Sequence, residues 1–274
     1  MKNIYFASIV LMILFSCKKD ENSTKKEISN KTEIKNIGKD SLDDQIIVKS
    51  YHFKLDSIKV EDSLLIKGKL NYDSNYSLLI FPEIKNKTLL DSIYAPISKD
   101  YDIKIDKFSK KDLLLMIKKI SEKNKKEYFS EVKDIDNPIL EYIAYDSFGM
   151  SINSVDNDFV TINYGVEGMS PGAAHPFHNS KLITFDFKNN KQIHLDDILK
   201  IDKKTWNKIV SKYIPKDLVF EEYQKEIPKT ENFYFDKKYI YFCYNEYEIG
   251  PYVSGLVEVR VPFSELKFNL KKGN

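Results

Sequence analysis

Arginine is nearly missing from this 274-residue chain: Arg260 is the only one among 43 basic residues. The lysines are spread evenly among 41 acidic residues, leaving a formal charge of +2. A nucleic-acid groove, which needs clustered arginine and lysine, is therefore excluded from the expectations. Histidine is also scarce, at four, so few residues are available for metal or acid–base chemistry. Cysteine is scarcer still: Cys17 and Cys243 are the only two, too few for a disulfide framework. Beyond the N-terminal segment no stretch is apolar for long enough to cross a bilayer, which takes about 20 residues. No internal repeat stands out.

What is present begins at the N-terminus. Lys2 is followed by the twelve-residue apolar stretch IYFASIVLMILF, Ile4 to Phe15, with the length of a signal-peptide core. It runs into LFSC, Leu14 to Cys17, which resembles the lipobox of bacterial lipoproteins. In that reading residues 1–16 are removed and Cys17 becomes the lipidated N-terminus. The alternatives are an ordinary signal peptide with an incidental cysteine, or a buried helix. Acyl chains contribute about 0.8 kcal/mol per buried methylene, so two or more hold a protein on a membrane without a spanning helix. KKDEN, Lys18 to Asn22, is similar to the short charged signal that sends some Bacteroidota lipoproteins to the outer face of the outer membrane. A solvated start to a linker is the other reading. The expected location is the cell envelope, as an outer-membrane lipoprotein facing either the periplasm or the surface. Residues 17–44 are polar and poor in aromatics, and read as a flexible tether.

The remainder divides, on sequence, into an N-terminal α+β region at 45–150 and a C-terminal α+β domain at 151–274. Alternation predicts strands at YHFKL (Tyr51–Leu55), SLLIKGKLNY (Ser63–Tyr72) and YSLLIFP (Tyr76–Pro82), with Asp73–Asn75 as a tight turn. Ser109 and Asp112 form a capping-box-like pair, followed by Leu113, Met116, Ile117 and Ile120 at helical spacing. A helix is expected over 109–132, with Ser121–Glu127 solvated. Strands follow in 139–155 and 159–169, and KLITFDF pairs with KQIHL across Lys188–Asn190. A second helix spans Asp202 to Ile214, stopped by Pro215. Two last strands are expected at 232–249 and 255–266. Strands and helices are not interleaved one for one, so the class is α+β, a largely antiparallel sheet with two principal helices packed on it.

The order of elements in the C-terminal half, VEGMSPGAAHPFH, a TFDF strand, a LDDIL turn, a helix, then FYFDKKYIYFCYNEYEIGPYVSG and VEVRVPFSEL, carries a family resemblance. It resembles DUF3298, the extracellular domain of unknown function found in RsiV, the lysozyme-sensing anti-sigma factor, and beside the catalytic domain of the peptidoglycan deacetylase PdaC. The likeness spans about 151–266. It implies a binding role, with lysozyme-like proteins or peptidoglycan fragments as partners. The sequence departs from the RsiV pattern in having a lipid-bearing Cys17 where RsiV has a sigma-binding segment and a membrane-spanning helix. It departs again at Gly172-Ala173-Ala174-His175, where the familiar loop has Gly-Gly-Ala-His.

Four residues are candidates for ligand binding: His175 and His178 in the small-residue loop, and Glu246 and Tyr252 in YNEYEIGPYVSG. No catalytic, cofactor or metal residue is assigned, and no cofactor is expected. The alternative is a cell-wall-active hydrolase or deacetylase using His175, His178 and a carboxylate. Such deacetylases carry Thr-Phe-Asp-Asp and two zinc-binding histidines four apart. Here Phe187 replaces the second aspartate, and the histidines are three apart on a proline-containing loop, with His194 as a third ligand to consider. Ser170 and Ser180 flank the histidines but lie in no nucleophile elbow. Glu246 and Glu248 share a face if their stretch is a strand, as paired acid–base carboxylates do. Cys243 is expected as a buried core thiol. For the loop itself, shape comes first, then recognition, then catalysis.

Overall fold

Nine strands and five α-helical segments are arranged in two sheets in the computed structural model, which describes residues 53–66, 70–132, 142–170 and 172–266. The lipobox, Cys17, the tether and the family loop's Pro171 lie outside those residues. The larger sheet runs in sequence order through β1 (Asp56–Ile66), β2 (Leu70–Ile80), β3 (Tyr142–Asp156), β4 (Phe159–Met169), β5 (Phe177–Asp186) and β6 (Lys191–Ile193). All pairings are antiparallel except β2 with β3. A parallel neighbour needs a long crossover, and two helices supply it: α1 (Lys87–Asp100) and α2 (Lys110–Val132).

Both crossover helices bury one face on this sheet. In α2, Leu113, Met116, Ile117 and Ile120 are all buried in the core, as their spacing predicts. The Ser109 hydroxyl donates to the Asp112 carboxylate at 2.5 Å and accepts from the Asp112 N–H at 3.2 Å, closing the N-terminus. Truncating a core residue such as Ile117 to alanine costs about 2–5 kcal/mol. The helix α1, which contains Pro96, is absent from the sequence reading. It forms because Asn86 accepts from the Leu89 N–H at 2.9 Å and Leu89, Leu90, Ile93, Tyr94 and Ile97 face the core.

Several expected boundaries move. Residues 53–55 of YHFKL precede β1, and Asp73–Asn75 lie inside β2 rather than in a turn. Ile66 pairs with Leu70 at the end of the β1–β2 ladder. The expected solvated middle of α2 is half right. Ser121 is buried, and Asn124 donates to Tyr76 Oη at 3.0 Å and to the Asp146 carboxylate. The polar side chains there satisfy other buried polar groups, which hydropathy alone does not show. The boundary drawn at 150 falls within β3, and β3 pairs with strands from both halves.

The smaller sheet comprises β7 (Phe233–Phe235), β8 (Tyr239–Tyr244) and β9 (Val257–Pro262). The expected single strand at 232–249 is therefore a hairpin followed by a turn. The Asp236 carboxylate makes the first reversal by accepting the N–H groups of Lys238 and Tyr239. The short helix α3 (Leu195–Ile198) follows β6, and α4 (Lys203–Val210), shorter than the expected 202–214, packs Trp206, Ile209 and Val210 into the second core. Trp206 meets Phe242 edge-on at 4.6 Å and donates its indole N–H to Ile227 O. A final turn, α5 (Phe263–Leu266), closes the described chain. No described helix is long and apolar enough to cross a membrane.

Candidate functional site

Strand β5 begins at Phe177, so His178 belongs to the sheet and only His175 to the preceding loop. Alternation along the strand sends Phe177 to the helix-covered face and His178 to the other. His178 pairs across β4 with Glu167, its Nε2 3.6 Å from the carboxylate, too far for a hydrogen bond. Its Nδ1 lies 3.2 Å from Glu246 Oε1, and its backbone N–H donates to Glu246 Oε2 at 3.3 Å. A carboxylate only accepts, so Nδ1 carries the proton. Glu246 thus holds both the strand and the imidazole. The His178 side chain is 46% exposed and Glu246 11%, and the effect of the contact is chiefly to position the ring.

Glu246 reaches β5 from a turn, correcting the strand expected to continue to Ile249, since β8 ends at Tyr244. The Tyr247 N–H donates to Gly250 O, the Glu248 N–H donates to Asn245 O, and Glu248 Oε2 accepts from the Asn245 N–H. Glu246 and Glu248 therefore diverge instead of sharing a face: one holds His178, the other closes its own turn. The paired-carboxylate reading falls with that geometry.

Tyr247 is the residue that sequence reasoning missed. It has φ 65° and its side chain is 58% exposed. Left-handed backbone is costly for a bulky residue and concentrates at functional positions. Its hydroxyl lies 3.2 Å from His175 Nε2. His175 Nδ1 lies 2.9 Å from the Pro176 carbonyl, which can only accept, so Nδ1 carries a proton, and Nε2 is left to share the hydrogen bond with the Tyr247 hydroxyl. On its face the His175 ring stacks on Tyr252 at 3.9 Å between centroids. Burial at the ring and the nearby Glu246 charge push the Tyr252 phenol above its ordinary value. All four candidates, His175, His178, Glu246 and Tyr252, thus meet in one place, joined by Tyr247.

The loop explains the departure from Gly-Gly-Ala-His. The left-handed residue is Gly172, at φ 75°, and Ala173 is not in that region. An alanine is therefore tolerated where the familiar loop has its second glycine.

Chemically the cluster is a histidine–carboxylate pair beside a tyrosine–histidine pair. Among the described residues neither ring hydrogen-bonds a serine or cysteine side chain. Ser180 instead donates to Asn163 Oδ1 at 2.5 Å. His194 caps α3 next to Glu231, 3.5 Å away, and does not join the other two. No group of three His, Cys, Asp or Glu among the described residues is arranged to hold a metal ion. In the TFDF strand, Thr184 meets Thr161 at 2.9 Å and Asp186 accepts from Asn189 twice, so both are committed to structure.

The sequence profile of one family matches part of the chain. Residues 186–264 match DUF3298, a protein family of unknown function. The segment matching DUF3298 includes Glu246, Tyr247 and Tyr252 but begins after His175 and His178, a narrower span than the resemblance read from the sequence. A DUF3298 family member from Bacteroides fragilis has a similar crystal structure, with TM-score 0.62 and 22% identity over 80% of this chain and 94% of that one. A second, from Pseudomonas aeruginosa, aligns with TM-score 0.50 and 16% identity over 79% and 94%. At these identities the likeness is one of fold. Among curated proteins nothing matches.

Proposed function

We propose that the chain is a lipid-anchored cell-envelope protein whose folded region binds an envelope or extracellular ligand without transforming it. The observation that carries this reading is Tyr247, held at φ 65°, 58% exposed, with its hydroxyl on His175. Together with Tyr252 stacked beneath His175, it forms a rigid aromatic platform at the surface. Exposed aromatics on a fixed frame supply large contact area at low entropic cost. The partner classes to try are those the family resemblance implies, a lysozyme-like protein or a peptidoglycan fragment. The lack of a nucleophile or three-residue metal group beside the histidines favours binding over hydrolysis among the described residues.

Two experiments test it. A Cys17→Ser chain is expected to leave the membrane fraction after a salt wash, and retention would defeat the anchor. A double variant, Tyr247→Ala with Tyr252→Ala, is expected to abolish capture of lysozyme or of soluble muropeptides by the otherwise folded protein. Capture unaffected by both substitutions would mean that the platform is not the binding face.

A further inference from the structure

Phe177, the neighbour of His178 in β5, points to the opposite face of the sheet and helps close a small pocket. Its ring lies over Gly168, where an added Cβ would stand 2.7 Å from it, so the glycine is what allows Phe177 to seat. The pocket, of about 220 Å³, is walled by Tyr72, Tyr128, Phe177, Asn124, Asp146 and Glu127. That is below the ~300–1,000 Å³ of sites for whole small molecules and suits a single functional group.

Its chemistry is one-sided. In a chain with 43 basic residues, no lysine, arginine or histidine among the described residues lines this pocket, while two carboxylates do. Asp146 is oriented from behind by the Tyr76 hydroxyl, which donates to Oδ2 at 2.6 Å, and by the Asn124 amide. Glu127 stands at the rim, 61% exposed, with Lys123 approaching it at 4.0 Å from the previous helical turn. The rings of Tyr72 and Tyr128 stack at 4.7 Å. Tyr128 is 6% exposed, yet its buried hydroxyl has no hydrogen-bond partner among the described residues. Buried polar groups are nearly always satisfied, and an orphan at a pocket wall points to a missing donor.

We propose that this pocket binds an alkylammonium group, free or at the end of a lysine-like side chain. Aromatic faces attract cations, by about 0.5–2 kcal/mol each, and a positioned carboxylate supplies a charge-assisted hydrogen bond. Phe177 and His178 project from opposite faces of β5, and Tyr145, which also lines the pocket, interacts electrostatically with Tyr252 of the platform.

The test is calorimetric titration of the full-length chain in detergent with Nα-acetyl-lysine methylamide, with cadaverine, and with the neutral Nε-acetylated lysine derivative. The two amines, or one of them, are expected to bind and the neutral analogue not. Binding of cadaverine alone assigns the site to free amines, and binding of both to side chains as well. Asp146→Asn is expected to weaken binding about tenfold and Phe177→Ala about threefold. Because Asp146 also ties Tyr76 to α2, thermal melts accompany that variant. Glu127→Gln, at an exposed position, gives a smaller loss without risk to the fold. Tyr247→Ala is expected to leave amine binding unchanged, which separates failure here from failure of the platform. Equal binding of the neutral and charged lysine derivatives, or none by either amine at about 10 mM, overturns the proposal.

Discussion

The side-chain amide of Asn232 pairs with the edge of β5 as a peptide group would: its Oδ1 accepts the Leu182 N–H at 2.7 Å and its Nδ2 donates to Ser180 O at 2.8 Å. Strand β6 covers only Thr184 to Asp186. Beyond it, Asn232, Asn245 and Glu246 take the N–H groups of Leu182, Ser180 and His178 in turn, at 2.7, 2.7 and 3.3 Å. Residues from the smaller sheet and its turn thus stand in for a missing strand. An exposed edge invites pairing with other chains, and this ladder occupies it. The same contacts carry Glu246 and Tyr247 to the histidines.

Asn232→Ala removes both partners at once. Leaving the buried Leu182 N–H unpaired is expected to cost about 1–3 kcal/mol. Urea denaturation checks the stability, and hydrogen exchange at the Leu182 amide should accelerate selectively. An unchanged exchange rate there would mean that the amide pairing contributes nothing.

Gly250 is where the site's turn meets the rest of the DUF3298 segment. A Cβ there would stand 2.2 Å from Leu218 O, and the adjoining Ile249 carbonyl accepts from Phe220 N–H at 2.9 Å. Gly250→Ala must push backbone against backbone, and about 1–3 kcal/mol of stability is expected to be lost. Equilibrium unfolding measures it, and a neutral result would show that the turn relaxes freely.

Cys243 is fully buried on β8, and burial, with the Glu258 charge second, pushes its thiol up to about 12. The thiolate is the reactive form. In a Cys17→Ser chain, where Cys243 is the sole thiol, Ellman's reagent at pH 8 is expected to label nothing until urea unfolds the protein. Rapid labelling of the native chain would contradict the burial.

Asp202 caps α4, accepting the Thr205 N–H at 2.7 Å, and that bond holds its carboxyl below the ordinary value of 3.8. A lowered folded value means that the unfolded chain binds the proton more readily. The contribution to stability is therefore complete above about pH 4 and fades as pH falls through the lowered value. Asp202→Asn keeps an acceptor but removes the titration. Its urea midpoint between pH 5 and 2.5 is expected to fall less steeply than that of the parent chain, and identical slopes would exclude the cap.

Local pattern alone determined a good deal: the α+β class, the cap and buried stripe of α2, the span of β4, and the hairpin joining β5 to β6. Each depends on contacts within a few residues, or on alternation that burial enforces. Pattern failed where a partner distant in the chain decides. Asp73–Asn75 carry turn residues yet lie in a strand because β1 and β3 flank them. Pro96 is tolerated because the residues around it pack α1 into the core. The candidates His175, His178, Glu246 and Tyr252 were legible one by one from residue type, but 68 positions separate His178 from Glu246. Only the docking of the β8–β9 turn on the open edge of β5 brings them together. That docking also gives Tyr247 its exposed, left-handed place, because long-range hydrogen bonds, unlike periodicity, leave no local trace in a sequence.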